Sequence, residues 1–183
     1  SYSMVCSDKE LGISEEHEGI IFLGDDAKPG MPLADYMGDA VFTVAITPNI
    51  ARDANIYGVA REVVALTGRK LKPMPTSVKA EGPAVKGKVK IEIGEPELNP
   101  RFVLGLIRNV EIKPSPAAVQ KRLRLAGMRP INNIVDATNY AMLEVGQPLH
   151  AFDYDVLVER AKGKTPTIST RLAKKNEKIT TLD

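Results

Sequence analysis

The sequence predicts an α+β chain, in which a small α/β N-terminal segment is joined by a linker to a mixed α+β domain. Three observations predict it. Apolar residues recur at a period of two in some stretches and at a helical period in others, so both element types are present. The chain of 183 residues has room for one large domain or two small ones. Finally, the stretch from Leu71 to Gly87, LKPMPTSVKAEGPAVKG, has several kinds of breaker and no period. The expected division is therefore residues 1–70, a connector at 71–87, and a second domain at 88–183.

Composition bounds the function classes. A hydrophobic content of 43% with interspersed charge describes a globular chain, and a net charge of +2 permits a polyanionic partner without requiring one. The lone Cys6 excludes an intramolecular disulfide framework and fits a reducing, cytoplasmic setting. No apolar run approaches the ~20 residues of a membrane span, and no signal peptide opens the chain. The chain starts without Met and stops in the turn signal TTLD, so a piece of a longer protein is expected.

The elements follow in order. Ser14 with Glu15 and Glu16 suggests a short helical turn, and Ile20 to Leu23 a strand. His17 lies in an acidic run with no apolar stripe, which reads as a solvated turn histidine and not a metal ligand. GDDAKPGMPLADYMGD is turn chemistry, and the alternating, β-branched Val41 to Thr47 is a strand. From about Ala51 to Thr67 the spacing of Ile56, Val59, Ala60, Val63 and Leu66 predicts a helix closed by Gly68. Gly58 inside it costs about 1 kcal/mol relative to Ala, which close packing against another backbone would offset. The lysines of the following connector could touch phosphates, although a solvated connector is the simpler reading.

In the second half, Lys88 to Ile93 and Phe102 to Ile112 read as strands. Ser115 before Pro116 is a helix start, with the hydroxyl as N-cap. The helix AAVQKRLRLAG buries Val119, Leu123 and Ala126, ends at Gly127, and turns Lys121, Arg122 and Arg124 elsewhere. A helix is expected from about Asn132 to Leu143, then Gly146, an extended GQPLHAFD, a polar loop, and a Thr-rich strand at Thr165 to Arg171.

The stretch RPINNIVDATNYAMLEVGQPLHAFD, Arg129 to Asp153, concentrates the chemistry. Thr138 and Asn139 lie in the middle of a helix they do not favour. His150 sits between Leu149 and Ala151. Polar groups among apolar ones must find partners or cost stability, so the run is either a packing network or a site. On residue pattern alone, both readings stand. No Gly-rich phosphate loop, nucleophile elbow or metal-ligand spacing is present. Asp136 and Glu144 are eight residues apart, about 12 Å along a helix, too far for a close carboxylate pair.

These residues resemble a known family. AGMRPINNIVDATNYAMLEVGQPLHAFDYD is similar to the editing domain of bacterial-type phenylalanyl-tRNA synthetase β subunits. The resemblance extends back through SPAAVQKRLRLAG, GVAREVVALTG, ITPN and CSDKELGISEEHEGI, in the same order. It implies that residues up to about Gly68 are the second half of a small N-terminal domain. Those from about Lys88 are then the first half of a mixed α+β editing-type domain, present in part. It also implies hydrolytic editing of mischarged Tyr-tRNA(Phe), with His150 catalytic and Arg129, Thr138 and Asn139 lining the substrate pocket. No metal site and no cofactor are implied in this chain. ATP and Mg²⁺ belong to aminoacylation on a partner α subunit, in an assembly of two α and two β chains that binds tRNA(Phe). The alternative is a non-catalytic tRNA-binding and scaffolding module of the same assembly. The chain departs from the family at Ile50, where Arg usually follows TPN, and in TPTISTR, which lacks a usual Val-Arg pair. The Gly-rich segment and glutamate that complete the family's pocket are expected beyond Asp183, so this chain alone is expected to be inactive and prone to self-association.

Overall fold

The computed structural model describes residues 4–180. The opening Ser1 to Ser3 and most of the closing TTLD signal lie outside the described residues. The described chain is mixed helix and small sheet, and it separates into two compact units, one up to Val44 and one from Ala45 onward.

The first unit is built from turns. Ser7 and Glu10 close one of them reciprocally: the Ser7 N–H and Oγ donate to Glu10 Oε2 at 2.8 and 3.0 Å, and the Glu10 N–H donates back to Ser7 Oγ at 3.4 Å. Those bonds to Ser7 hold the Glu10 carboxyl below its ordinary range. A short helix α1, Leu33–Met37, follows inside the stretch whose breakers read as turns. Its Tyr36 hydroxyl donates to Asp26 Oδ1 at 2.7 Å, and this bond raises the phenol's pKa. Neither Ile20 to Leu23 nor Val41 to Thr47 becomes a strand, and no helix forms at Ser14. Alternation supplies the face of a strand, but only a pairing partner makes it one.

The second unit begins with a 3₁₀ turn, Pro48–Asp53, and then helix α2, Ile56–Thr67. The expected single helix is thus split. Asn55 caps α2 by accepting the Gly58 N–H at 2.7 Å, and its amide donates to the Arg52 carbonyl at 2.9 Å. Gly58 is buried, and a Cβ there would stand 2.6 Å from the Arg52 carbonyl oxygen and 2.6 Å from Asp53 Cα. The close backbone approach expected of this glycine is therefore present. Gly68 ends α2 in the left-handed region at φ 67°.

Residues 71–87 contain no helix or strand. Strand β1, Lys90–Ile93, pairs in parallel with β2, Thr167–Thr170, in the register Lys90 opposite Thr167. Between them lie α3, Ala117–Leu125, α4, Asn133–Val145, and α5, Tyr154–Arg160. α5 occupies what the sequence reads as a polar loop, because Asp153 caps it by accepting the Asp155 and Val156 N–H groups. Phe102 to Ile112 forms no strand, and Asn109 within it is left-handed at φ 57°. Its alternation survives, with Phe102, Leu104 and Leu106 half-buried and Val103 and Ile107 exposed. α4 packs against both α2 and α3, and Leu123 of α3 is fully removed from solvent.

Candidate functional site

Helix α4 organises the candidate site. Asn132 is its N-cap, accepting from the Ile134 and Val135 N–H groups at 3.0 Å each. Gly146 closes it at φ 77°, and the left-handed turn releases the extended segment that carries His150. The next residue of the helical chain, Asn133, ties α4 to the strand-like segment before α3. Its Oδ1 accepts the Lys113 N–H at 3.2 Å, and its amide donates to the Glu111 carbonyl at 3.0 Å.

The polar centre of this region is Asp136, only 1% exposed. Its Oδ2 accepts the Ser115 hydroxyl at 2.6 Å, and its Oδ1 accepts the Ile131 N–H at 2.7 Å. Both oxygens are thus satisfied by groups that enter α3 and α4. This corrects the expected role of Ser115, which does not cap α3 with its side chain. The α3 N-cap is Pro116, without a side-chain bond, because the Ser115 hydroxyl is committed to the buried carboxylate. Asp136 is therefore a structural anchor and not a partner of Glu144.

The four sequence-nominated residues have different surroundings. Thr138 is half-buried, and its Oγ1 donates to the Val135 carbonyl at 2.7 Å. The hydroxyl proton is used inside the helix, so only oxygen lone pairs are left for a ligand. Asn139 is half-buried one residue further, about 100° around the helix axis. Arg129 is exposed in the turn before α4. His150 is exposed, and its ring meets Phe152 edge to face, with centroids 4.4 Å apart and planes at 84°. The ring therefore rests against Phe152 at the protein surface.

An open cleft of about 240 Å³ lies on the α3 side of α4. Pro116, Val119, Ala137 and Ala141 give it apolar walls, with Ser115, Asn133, Tyr140 and Glu144 around them. Arg122 donates to the Tyr140 hydroxyl, so one of the three α3 cations is committed at its edge, and Arg124 donates to Gln120 Oε1 at 3.1 Å. None of Arg129, Thr138, Asn139 and His150 lines this cleft. Among the described residues no three His, Cys, Asp or Glu side chains gather to hold a metal ion. The sequence reading places Asn132 at the start of the helix and not as its cap, although a polar residue directly before an apolar period carries that signal. The Ser115–Asp136 pair was not, since its members are 21 residues apart.

Comparison with known proteins finds relatives along the chain. A model of the B3/4 domain matches residues 98–183. Over its whole length the chain is 48% identical to the phenylalanine–tRNA ligase beta subunit of Moorella thermoacetica, covering 23% of that protein. It is 46% identical to the beta subunit of Dehalococcoides mccartyi and 43% to that of Geobacter sulfurreducens, covering 22% of each. The chain thus spans about a fifth of the length of the curated relatives it matches.

Proposed function

The chain is homologous along its entire length to phenylalanine–tRNA ligase β subunits, and from that premise we propose that it serves hydrolytic editing of Tyr-tRNA(Phe). In this reading it also contributes to binding tRNA and the α subunit, and aminoacylation with its ATP and Mg²⁺ stays on α. The observation that carries the proposal is identity of 46–48% that runs through the whole chain. The chemistry of the α4–His150 region is compatible with it.

A synthetic pocket built for phenylalanine discriminates only about a hundredfold against tyrosine, because one added hydroxyl is weakly rejected by apolar walls. A second pocket that hydrogen-bonds the hydroxyl reverses the preference, since phenylalanine would leave its polar groups unpaired. Thr138 and Asn139 bound such an amino-acid pocket in this proposal. The Thr138 oxygen, already donating to Val135, is suited to accept a hydroxyl proton. Hydrolysis of the ester then needs an oriented water and stabilised charge, with no protein nucleophile. His150, exposed and braced by Phe152, orients that water or the terminal ribose. Arg129 holds a phosphate or ribose at the entrance.

The test is deacylation of preformed Tyr-tRNA(Phe) by the α/β enzyme containing this chain. Hydrolysis well above the buffer rate, with Phe-tRNA(Phe) spared, is the expected result. Hydrolysis at the buffer rate would leave this β segment a tRNA-binding and scaffolding module.

A further inference from the structure

Two basic segments far apart in sequence meet beside the two-stranded sheet. The first, Lys86-Gly-Lys88, leads into β1, and the second, Arg160-Ala-Lys162-Gly-Lys164, leads into β2. Parallel pairing brings the two lead-ins side by side. The Lys90 N–H donates to the Pro166 carbonyl at 2.8 Å, and Thr165 Oγ1 donates to the Gly87 carbonyl at 3.5 Å. Tyr154 of α5 donates its hydroxyl to the Lys88 carbonyl at 3.1 Å, fastening the first segment to the helix from which the second emerges. Arg160 is the last residue of α5, and Lys162 and Gly163 are both left-handed, at φ 52° and 76°, so the rest of the second segment is a tight turn.

All five cations are exposed, and none forms an ion pair with a carboxylate among the described residues. Other surface lysines do: Lys9 pairs with Glu15, and Lys90 with Glu92. Neither segment contains an acid, and Glu159 directly precedes the second. Like charges on segments tied together by these bonds repel one another, and a polyanion relieves that repulsion while releasing its own counterions. We propose that Lys86, Lys88, Arg160, Lys162 and Lys164 form a binding surface for an RNA phosphate backbone. RNA is chosen over other polyanions on the tRNA-handling reading above. The surface itself stands on the paired lead-ins and lies outside the proposed hydrolytic residues. The four lysines contact phosphates as point charges and Arg160 through its planar guanidinium, so the surface places an RNA by its backbone without reading its bases.

The experiment measures binding of a tRNA transcript to the 183-residue chain across a salt series. Three proteins are compared: the parent, a patch variant carrying Lys86→Gln, Lys88→Gln, Lys162→Gln and Lys164→Gln, and a control carrying Lys174→Gln, Lys175→Gln and Lys178→Gln. The control lysines are also exposed, but sit in the turn after β2. The parent should bind with a steep salt dependence. The patch variant should bind roughly tenfold or more weakly, with the log–log slope lowered by about 3, since each lost phosphate contact removes 0.7–0.9. The control should keep most of the affinity. Equal losses in patch and control variants would overturn the proposal, because they mark delocalised charge. So would the absence of RNA binding by the parent, including the case where it binds only acidic phospholipid vesicles. Tyr-tRNA hydrolysis by the α/β enzyme is a separate readout: hydrolysis at the buffer rate beside salt-dependent RNA binding by this chain would count against the hydrolytic residues and leave this surface intact.

Discussion

At the scale of single residues, the structure turns on buried polar groups whose partners are far away in sequence. Asp136 holds the entry to α3 through Ser115 and the entry to α4 through the Ile131 N–H. Replacing it with Ala would strand a buried hydroxyl and a backbone donor, each costing about 1–3 kcal/mol when unsatisfied. We expect Asp136→Ala to lower stability by about 2–4 kcal/mol, read from the urea midpoint. A change under about 0.5 kcal/mol, the ordinary surface value, would mean the carboxylate is dispensable. Gly58→Ala tests the opposite kind of crowding. Helix propensity favours Ala by about 1 kcal/mol, yet its Cβ would stand 2.6 Å from the backbone of the preceding turn. Overpacking at such a contact typically costs 1–3 kcal/mol, so net destabilisation is expected, and a stabilised variant would contradict the packing. These two sites mark the limit of what the sequence discloses at this scale. The glycine was legible because an interior glycine needs a reason. The Ser115–Asp136 pair was hidden because its spacing follows no helical or strand period.

At the scale of elements, local signals located helices better than strands. The bodies of α2, α3 and α4 fall where apolar spacing and glycine stops put them, since a helix closes its own backbone bonds. Their starts differ, since α2 begins later than its spacing suggests and Ser115 does not cap α3. A strand depends on a partner the local pattern does not contain, which is why Phe102 to Ile112 alternates without pairing. β1 and β2 found each other across more than seventy residues, by a register invisible in either alone. The turn after β2 gives an element-scale test. Arg171 grips Glu177 in a bidentate pair at 2.7 and 2.6 Å, and the Lys174 N–H donates to the same carboxylate at 2.8 Å. The Arg171 bond, then the Lys174 backbone bond, lower the Glu177 pKa from 4.5 to about 2. A carboxylate whose folded pKa is depressed contributes its stabilisation above the unfolded value and loses it as pH falls through the folded one. The turn should therefore stay closed through pH 4.5 and open towards pH 2. Carboxyl chemical shifts of Glu177 followed from pH 6 to 2 check this, and a midpoint near 4.5 would show the pair is not formed in solution.

At the scale of the whole molecule, apolar surface is unusually open. Phe22 and Phe42 are 87% and 84% exposed in the first unit, and Leu66 and Ile107 are 85% and 77% exposed in the second. Among the described residues the run from Phe102 to Ile107 makes no backbone–backbone hydrogen bonds, and such an edge recruits other strands unless charge guards it. Arg101 and Arg108 flank it on either side. We expect concentration-dependent self-association in sedimentation velocity, reduced by Ile107→Lys; equal association by both proteins would place the contact elsewhere. Among the described residues no helix is long and apolar enough to cross a membrane. The resemblance read from Arg129 to Asp153 agrees with the relatives found along the chain, whereas the division into two units at Val44 and Ala45 had no marker in composition. The most direct test of the account is a paired kinetic measurement on the α/β enzyme carrying His150→Ala in this chain. A positioned water-orienting group contributes about 10²–10⁴-fold, so hydrolysis of Tyr-tRNA(Phe) should fall by about that factor while charging of phenylalanine stays near the parent rate. Equal losses in both activities, or an unchanged hydrolysis rate, would contradict the assignment of His150 to an editing site.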